Sequence, residues 1–142
     1  MIVLIWKYHL ERMIPMHLKH DCVRDILIFI EDLPFNHQAM NDEIFSSERL
    51  SKYSKDEIIY AIERIGNDDA QLINGYVMYA SNEPYIVCVK SLTFDGHQYL
   101  NNIRDPKVWS ETKKATSKIA SVSLDIMSSV ASNVIIKMLG LN

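Results

Sequence analysis

Ser54-Lys55-Asp56-Glu57-Ile58-Ile59-Tyr60-Ala61-Ile62-Glu63-Arg64-Ile65, followed by residues 72–80 and then residues 85–90, is the stretch that decides how the rest of the chain is read. Ser54 with Glu57 three residues later is a capping box, in which hydroxyl and carboxylate each satisfy a backbone N–H at a helix start. Ile58, Ile59, Ile62 and Ile65 recur at helical spacing, so a helix runs over Lys55–Ile65. Gly66, Asn67, Asp68 and Asp69 break it. From Leu72 the residues turn β-branched and aromatic, and Ser81, Asn82, Glu83 and Pro84 read as the turn between two antiparallel strands. A helix that runs into a hairpin is the unit around which the other elements are placed.

Upstream, residues 21–32 set Cys22, Val23, Ile26, Leu27 and Ile30 on one apolar stripe, with Asp21 as an N-terminal anion and Pro34 just beyond the end. Residues 35–50 have no clean period; residues 42–45 and 47–50 contribute one short helix and the rest a loop. Ile2, Ile5, Trp6, His9 and Met13 fall on a helical stripe ended by Pro15, although residues 2–6 alone also fit a buried strand. Downstream, Thr93 caps a short helix carrying Tyr99, Leu100 and Ile103, and Asp105 before Pro106 is a new N-cap with proline at the first helical position. Leu124, Met127, Ala131, Val134, Met138 and Leu141 then alternate steps of three and four, and Gly140 marks the end. That seam packs either on its own domain or on the same helix of a second copy.

Helix, irregular segment, capped helix and hairpin is the order of a winged helix-turn-helix domain, with Lys55–Ile65 as recognition helix and the hairpin as wing. The expected fold is α+β: an extra N-terminal segment over residues 1–15, a winged-helix domain over 16–103, and a helical C-terminal extension over 104–142. Three stretches carry a resemblance. They are Asp21-Cys22-Val23-Arg24-Asp25-Ile26-Leu27, Tyr53-Ser54-Lys55-Asp56-Glu57-Ile58-Ile59-Tyr60, and Leu92-Thr93-Phe94-Asp95-Gly96-His97-Gln98-Tyr99-Leu100 with Ile103-Arg104-Asp105 and Trp109. On these the chain resembles an uncharacterised family of small prophage-associated winged-helix proteins related to the YjcQ-type proteins, over residues 16–141. The resemblance implies a winged-helix fold, phage or prophage origin and a start near Met16, and it implies no catalytic activity. Ala61 stands where that family commonly has a histidine, and residues 67–71 replace an Ala-Gly pair before Leu72.

The 142 residues, 48% hydrophobic and 23% charged, suffice for one ordinary domain, and four Gly with four Pro exclude low-complexity or proline-rich architecture. A net charge of -3 provides no global basic field. Cys22 and Cys88 belong to no paired motif and read as free buried thiols in a reducing compartment. The apolar start lacks the pattern of a signal peptide. Residues 122–141 have the length of a membrane span but carry Asp125, Asn133 and Lys137, so a cytoplasmic protein without a membrane partner is expected.

His17, His20 and Cys22 lack the further ligands that structural zinc requires, so neither metal nor cofactor is expected. His97 lacks a nucleophile and an orienting carboxylate; it is expected to make a buried or half-buried hydrogen bond, with Gly96 allowing close backbone approach. No phosphate loop, nucleophile elbow or paired-carboxylate motif is present, so the chain is expected to bind rather than catalyse. For double-stranded DNA, in a role such as transcription regulation, the candidates are Arg49, Lys52 and Lys55 at the approach to the recognition helix and Tyr60 and Arg64 along it. Lys90 joins them on the wing beside Tyr76 and Tyr79, and Lys113 and Lys114 lie in a later basic stretch with Arg104, Lys107 and Lys118. Asp56, Glu57 and Glu63 oppose this reading by repelling phosphates. The alternative is a protein-interaction module, such as a phage-encoded inhibitor or adaptor of a host protein that has lost DNA contacts. A homodimer through Leu124, Met127, Ala131, Val134 and Met138 fits either reading, and the N-terminal segment is a candidate to cover that helix.

Overall fold

The computed structural model describes residues 15–141, so the helix expected over residues 2–14 lies outside the described residues. The described chain is a mixed α+β structure with six helices and one three-stranded antiparallel sheet: α1 (His20–Glu31), β1 (Ala39–Met40), α2 (Asn41–Phe45), α3 (Lys55–Ile65), β2 (Ile73–Ala80), β3 (Glu83–Leu92), α4 (Phe94–Ile103), α5 (Pro106–Thr116) and α6 (Leu124–Met138). Side-chain caps fix the starts of α3, α4, α5 and α6, while α1 and α2 begin without one. Ser54 Oγ accepts from the Glu57 N–H at 3.1 Å while Glu57 Oε1 accepts from the Ser54 N–H at 3.2 Å, completing the capping box. Thr93, Asp105 and Ser123 cap α4, α5 and α6 in the same way.

The sheet order is β1-β3-β2. Ala39 and Met40 pair with Val89 and Cys88, within a stretch that reads as loop, because two residues are too few to display a strand period. The Asn41 side chain prolongs this edge, donating to the Tyr85 carbonyl at 3.0 Å and accepting from the Val87 N–H at 2.8 Å. The hairpin turn is tighter than the expected four-residue turn. Ser81 and Asn82 alone form it, at φ 52 and 64, and Glu83 and Pro84 already belong to β3. Two successive positive φ values match the twist of flanking strands in a two-residue loop. The short helix also differs, ending at Phe45, with hydrogen-bonded turns rather than helix through Tyr53.

One hydrophobic core runs from the Cys22 stripe of α1 through α3, the inner face of the sheet, and α4 and α5 to Met127 and Ala131 of α6. Gly96 sets how closely α4 approaches the hairpin base: a Cβ there would lie 1.9 Å from the Leu72 carbonyl oxygen. His97, by contrast, is exposed rather than buried. The inward face of α4 is Gly96, Tyr99, Leu100 and Ile103, and position 97 falls a hundred degrees around the helix from Gly96, outside that stripe. The C-terminal helix packs on α5 and α4; Met127 and Ala131 are buried, Leu124 and Val134 half-buried against the same core, and Met138 exposed. Cys22 and Cys88 are buried and unbridged. Among the described residues no helix is long and apolar enough to cross a membrane.

Candidate functional site

Asp21 and Asp25 stand one helical turn apart on α1 and gather cations from two other parts of the chain. Asp25 is only 5% exposed. A carboxylate buried to that degree requires partners, and three arrive from the α2–α3 connection. The Tyr53 hydroxyl donates to Oδ2 at 2.6 Å, Lys52 Nζ lies 3.0 Å from the same oxygen, and Arg49 Nη1 lies 3.5 Å from Oδ1. Burial, with the Asp25 carboxylate as hydrogen-bond acceptor, pushes the Tyr53 hydroxyl well above the ordinary phenol range. Cys22 alongside is pushed up to about 12 by burial and by Glu57 and Asp25, so its thiol stays protonated and inert.

Asp21 reaches the other way, to α5, 92 residues distant in the chain at Lys113. It accepts from Trp109 Nε1 at 2.8 Å and from Lys113 Nζ at 3.1 Å. Partial burial alone would raise its pKa, but the Trp109 hydrogen bond and the Lys113 and Lys52 ammoniums outweigh that and hold its carboxyl below the ordinary value. Lys52 thus acts on both carboxylates. Trp109 is nearly buried, with the Arg24 guanidinium 5.7 Å and Lys113 Nζ 5.8 Å from its ring centre. Arg24 donates to the Ile103 carbonyl at 3.1 Å and to the Arg104 carbonyl, closing the C-terminal end of α4. Arg104 pairs with Glu31.

Five cations, Arg24, Arg49, Lys52, Arg104 and Lys113, therefore form one band around Trp109 with three carboxylates, Asp21, Asp25 and Glu31, in a chain whose net charge is negative. A groove of about 1270 Å³ opens beside it between α1, residues 52–53 and the α5–α6 connection. His20 Nε2 donates to the Val122 carbonyl at 3.0 Å. Its Nδ1 is buried and has no partner among the described residues. Those residues contain no group of three or more His, Cys, Asp or Glu side chains placed to hold a metal ion.

A model of the family described as hypothetical protein, DUF2513, matches residues 17–123. The chain belongs to that family. The matched span ends at Ser123, the N-cap of α6, and so contains every residue of the band and its carboxylates. No curated protein and no solved structure matches the chain.

The eight DNA candidates fall in separate places. Arg49, Lys52 and Lys113 come together in the band. Lys55, Tyr60 and Arg64 remain on α3, where Lys55 sits over the Phe45 ring at 5.4 Å and Arg64 covers Tyr60 at 5.3 Å while pairing with Asp69 at 2.7 Å and with Glu63 at 3.6 Å. The Tyr79 hydroxyl of β2 donates to Glu63, and the carboxylate it meets pushes its pKa up. Lys90 lies at the base of the β2–β3 hairpin, beside a pocket it shares with Leu33, Phe35 and His97. Lys114 is exposed on α5. Sequence reasoning passed over Arg24, Trp109 and the two aspartates. The available signal was Asp25 itself, a charge set among Cys22, Val23 and Ile26 on the buried face of a helix.

Proposed function

We propose that this chain is a non-catalytic winged-helix module of the phage or prophage type that binds double-stranded DNA in a regulatory role, gripping phosphates through the basic band. The element order α1-β1-α2-α3-β2-β3 with sheet order β1-β3-β2 supports the winged-helix reading. The observation that carries the DNA reading is the convergence of Arg24, Arg49, Lys52, Arg104 and Lys113 on one surface with fewer carboxylates than cations. The band adjoins the start of α3, because Lys19 pairs with Glu57 and the Cys22 thiol faces the Glu57 carbonyl. In this arrangement the band positions the duplex, and the first turn of α3, with Lys55, lies nearest to it.

Fluorescence anisotropy with a labelled generic duplex across a salt series tests this. Affinity is expected to fall steeply with salt, and the Lys52→Ala/Lys113→Ala double variant is expected to weaken binding at least about tenfold at low salt and to reduce the salt slope by roughly two. Absence of binding at low salt refutes it. A protein partner is the second reading. It is favoured by the α3–wing surface, where Asp56, Glu63 and Asp69 accompany the exposed Met78 and Tyr79 and would repel a duplex laid along α3.

A further inference from the structure

We infer that the groove between α1, residues 52–53 and the α5–α6 connection is a binding site for a small phosphate-bearing molecule, with Lys52, Lys113 and Arg24 as its anion-binding residues and the Asp21 carboxylate as an internal stand-in that the ligand displaces. The cavity is large enough for a ligand of several phosphate groups, and concave sites with a few convergent polar groups are where small molecules bind. Its charge selects the class. Arg24, Lys52 and Lys113 line it against two carboxylates, Lys19 on the same wall being paired with Glu57, and Asp25 is buried with the Tyr53 hydroxyl donating to it. The remaining carboxylate, Asp21, is half-exposed; Lys113, which pairs with it, and Lys52, which pairs with Asp25, keep 45% and 65% of their side-chain surface in water. Those ammoniums are accessible, and they are held near one another because the carboxylates they meet stand one helical turn apart, about 6 Å.

Arg24 adds a fixed charge. Its hydrogen bonds run to the carbonyls of Ile103 and Arg104, so the guanidinium is positioned without being neutralised by them. A phosphate entering the groove replaces Asp21 as the partner of Lys113 and brings more negative charge than it displaces. Trp109, which touches Asp21, Arg24 and Lys113 at once, reports the exchange. This site does not require the DNA reading, although it shares Lys52 and Lys113 with it.

The test is a titration of the full chain carrying Trp6→Phe, so that Trp109 is the single indole, with sodium tripolyphosphate at low ionic strength, followed by tryptophan fluorescence. A saturable change is expected. It should tighten at least threefold in Asp21→Asn, which keeps an acceptor for the Trp109 N–H but removes the competing charge. It should weaken at least tenfold in Lys113→Ala and recover in Lys113→Arg. Thermal melting of each variant separates loss of a site from loss of fold. No saturable signal from the folded parent, or an Asp21→Asn variant that binds no tighter, overturns the inference. A labelled duplex added as competitor identifies the source of the phosphate: mutual displacement assigns the site to phosphates of either origin, and simultaneous binding assigns it to a small molecule alone. A duplex that fails to bind leaves the tripolyphosphate result standing, so the two readings fail separately.

Discussion

The groove beside α5 and the surface formed by α3 and the β2–β3 hairpin are built from similar residues but differ in how their charges are matched. On α3, Arg64 lies between Asp69 and Glu63, Lys55 covers an aromatic ring, and Glu63 is taken by a tyrosine of the hairpin. In the band beside the groove, three carboxylates serve five cations, and one of the three is buried. A charge count along α3 or along α5 does not reveal this. What decides the character of each surface is where the counter-charges lie, and for Lys52 and Lys113 these sit on α1, far away in sequence.

The strongest way to break the contrast is to separate the elements that hold it. Gly96→Ala drives a Cβ into the Leu72 carbonyl and should lift α4, and with it the Arg24 anchor, off the hairpin base. A loss above about 3 kcal/mol is expected by urea denaturation; near-parental stability would show that α4 is not pinned there. Next, the two surfaces can be compared by deleting one carboxylate from each. Asp25→Ala leaves Tyr53, Lys52 and Arg49 without their common acceptor and should cost about 2 kcal/mol. Glu63→Gln should cost under about 1 kcal/mol because its ion pair is peripheral. Equal costs in the same denaturation experiment would erase the distinction between an organised cluster and a solvated face.

Acidity gives a finer probe. The folded state holds the Asp21 pKa down, so its contribution to stability is present above the unfolded value and is lost as pH falls through the lower folded value. Melting temperature followed from neutral to acid pH should therefore fall less steeply in Asp21→Asn than in the parent; parallel curves would remove Asp21 from the groove's electrostatics. The smallest effect is expected at Tyr99, whose hydroxyl is buried on α4 with no partner among the described residues, while burial drives its pKa well above the ordinary phenol value. Tyr99→Phe should be neutral or stabilising by up to about 1 kcal/mol, since it removes an unsatisfied polar atom and keeps the ring. A marked loss of stability would reveal a hydrogen bond to that hydroxyl.

Much of the fold was legible because its signals are local. The Ser54–Glu57 box, the Asp105-Pro106 start, the Thr93 cap and the apolar stripes of α1 and α3 each depend on residues within a turn or two, and the structure places those elements within a residue or so of the expected limits. The candidate site was legible only in pieces. Arg49 and Lys52 were grouped before α3 and Lys113 was placed in a separate basic stretch, and that stretch of α5 gave no indication that its partner would be the first helix.

By itself the sequence determined where helices begin, which faces they bury and that a hairpin follows α3, since backbone capping and side-chain periodicity are set by residues close along the chain. The tertiary structure alone decided that Ala39 and Met40 become a strand, that His97 points to solvent and that Asp21 and Asp25 gather cations from both halves of the molecule. A two-residue strand exists only where a neighbouring edge offers its hydrogen bonds, and a counter-ion is chosen by distance in space, which the order of residues does not encode.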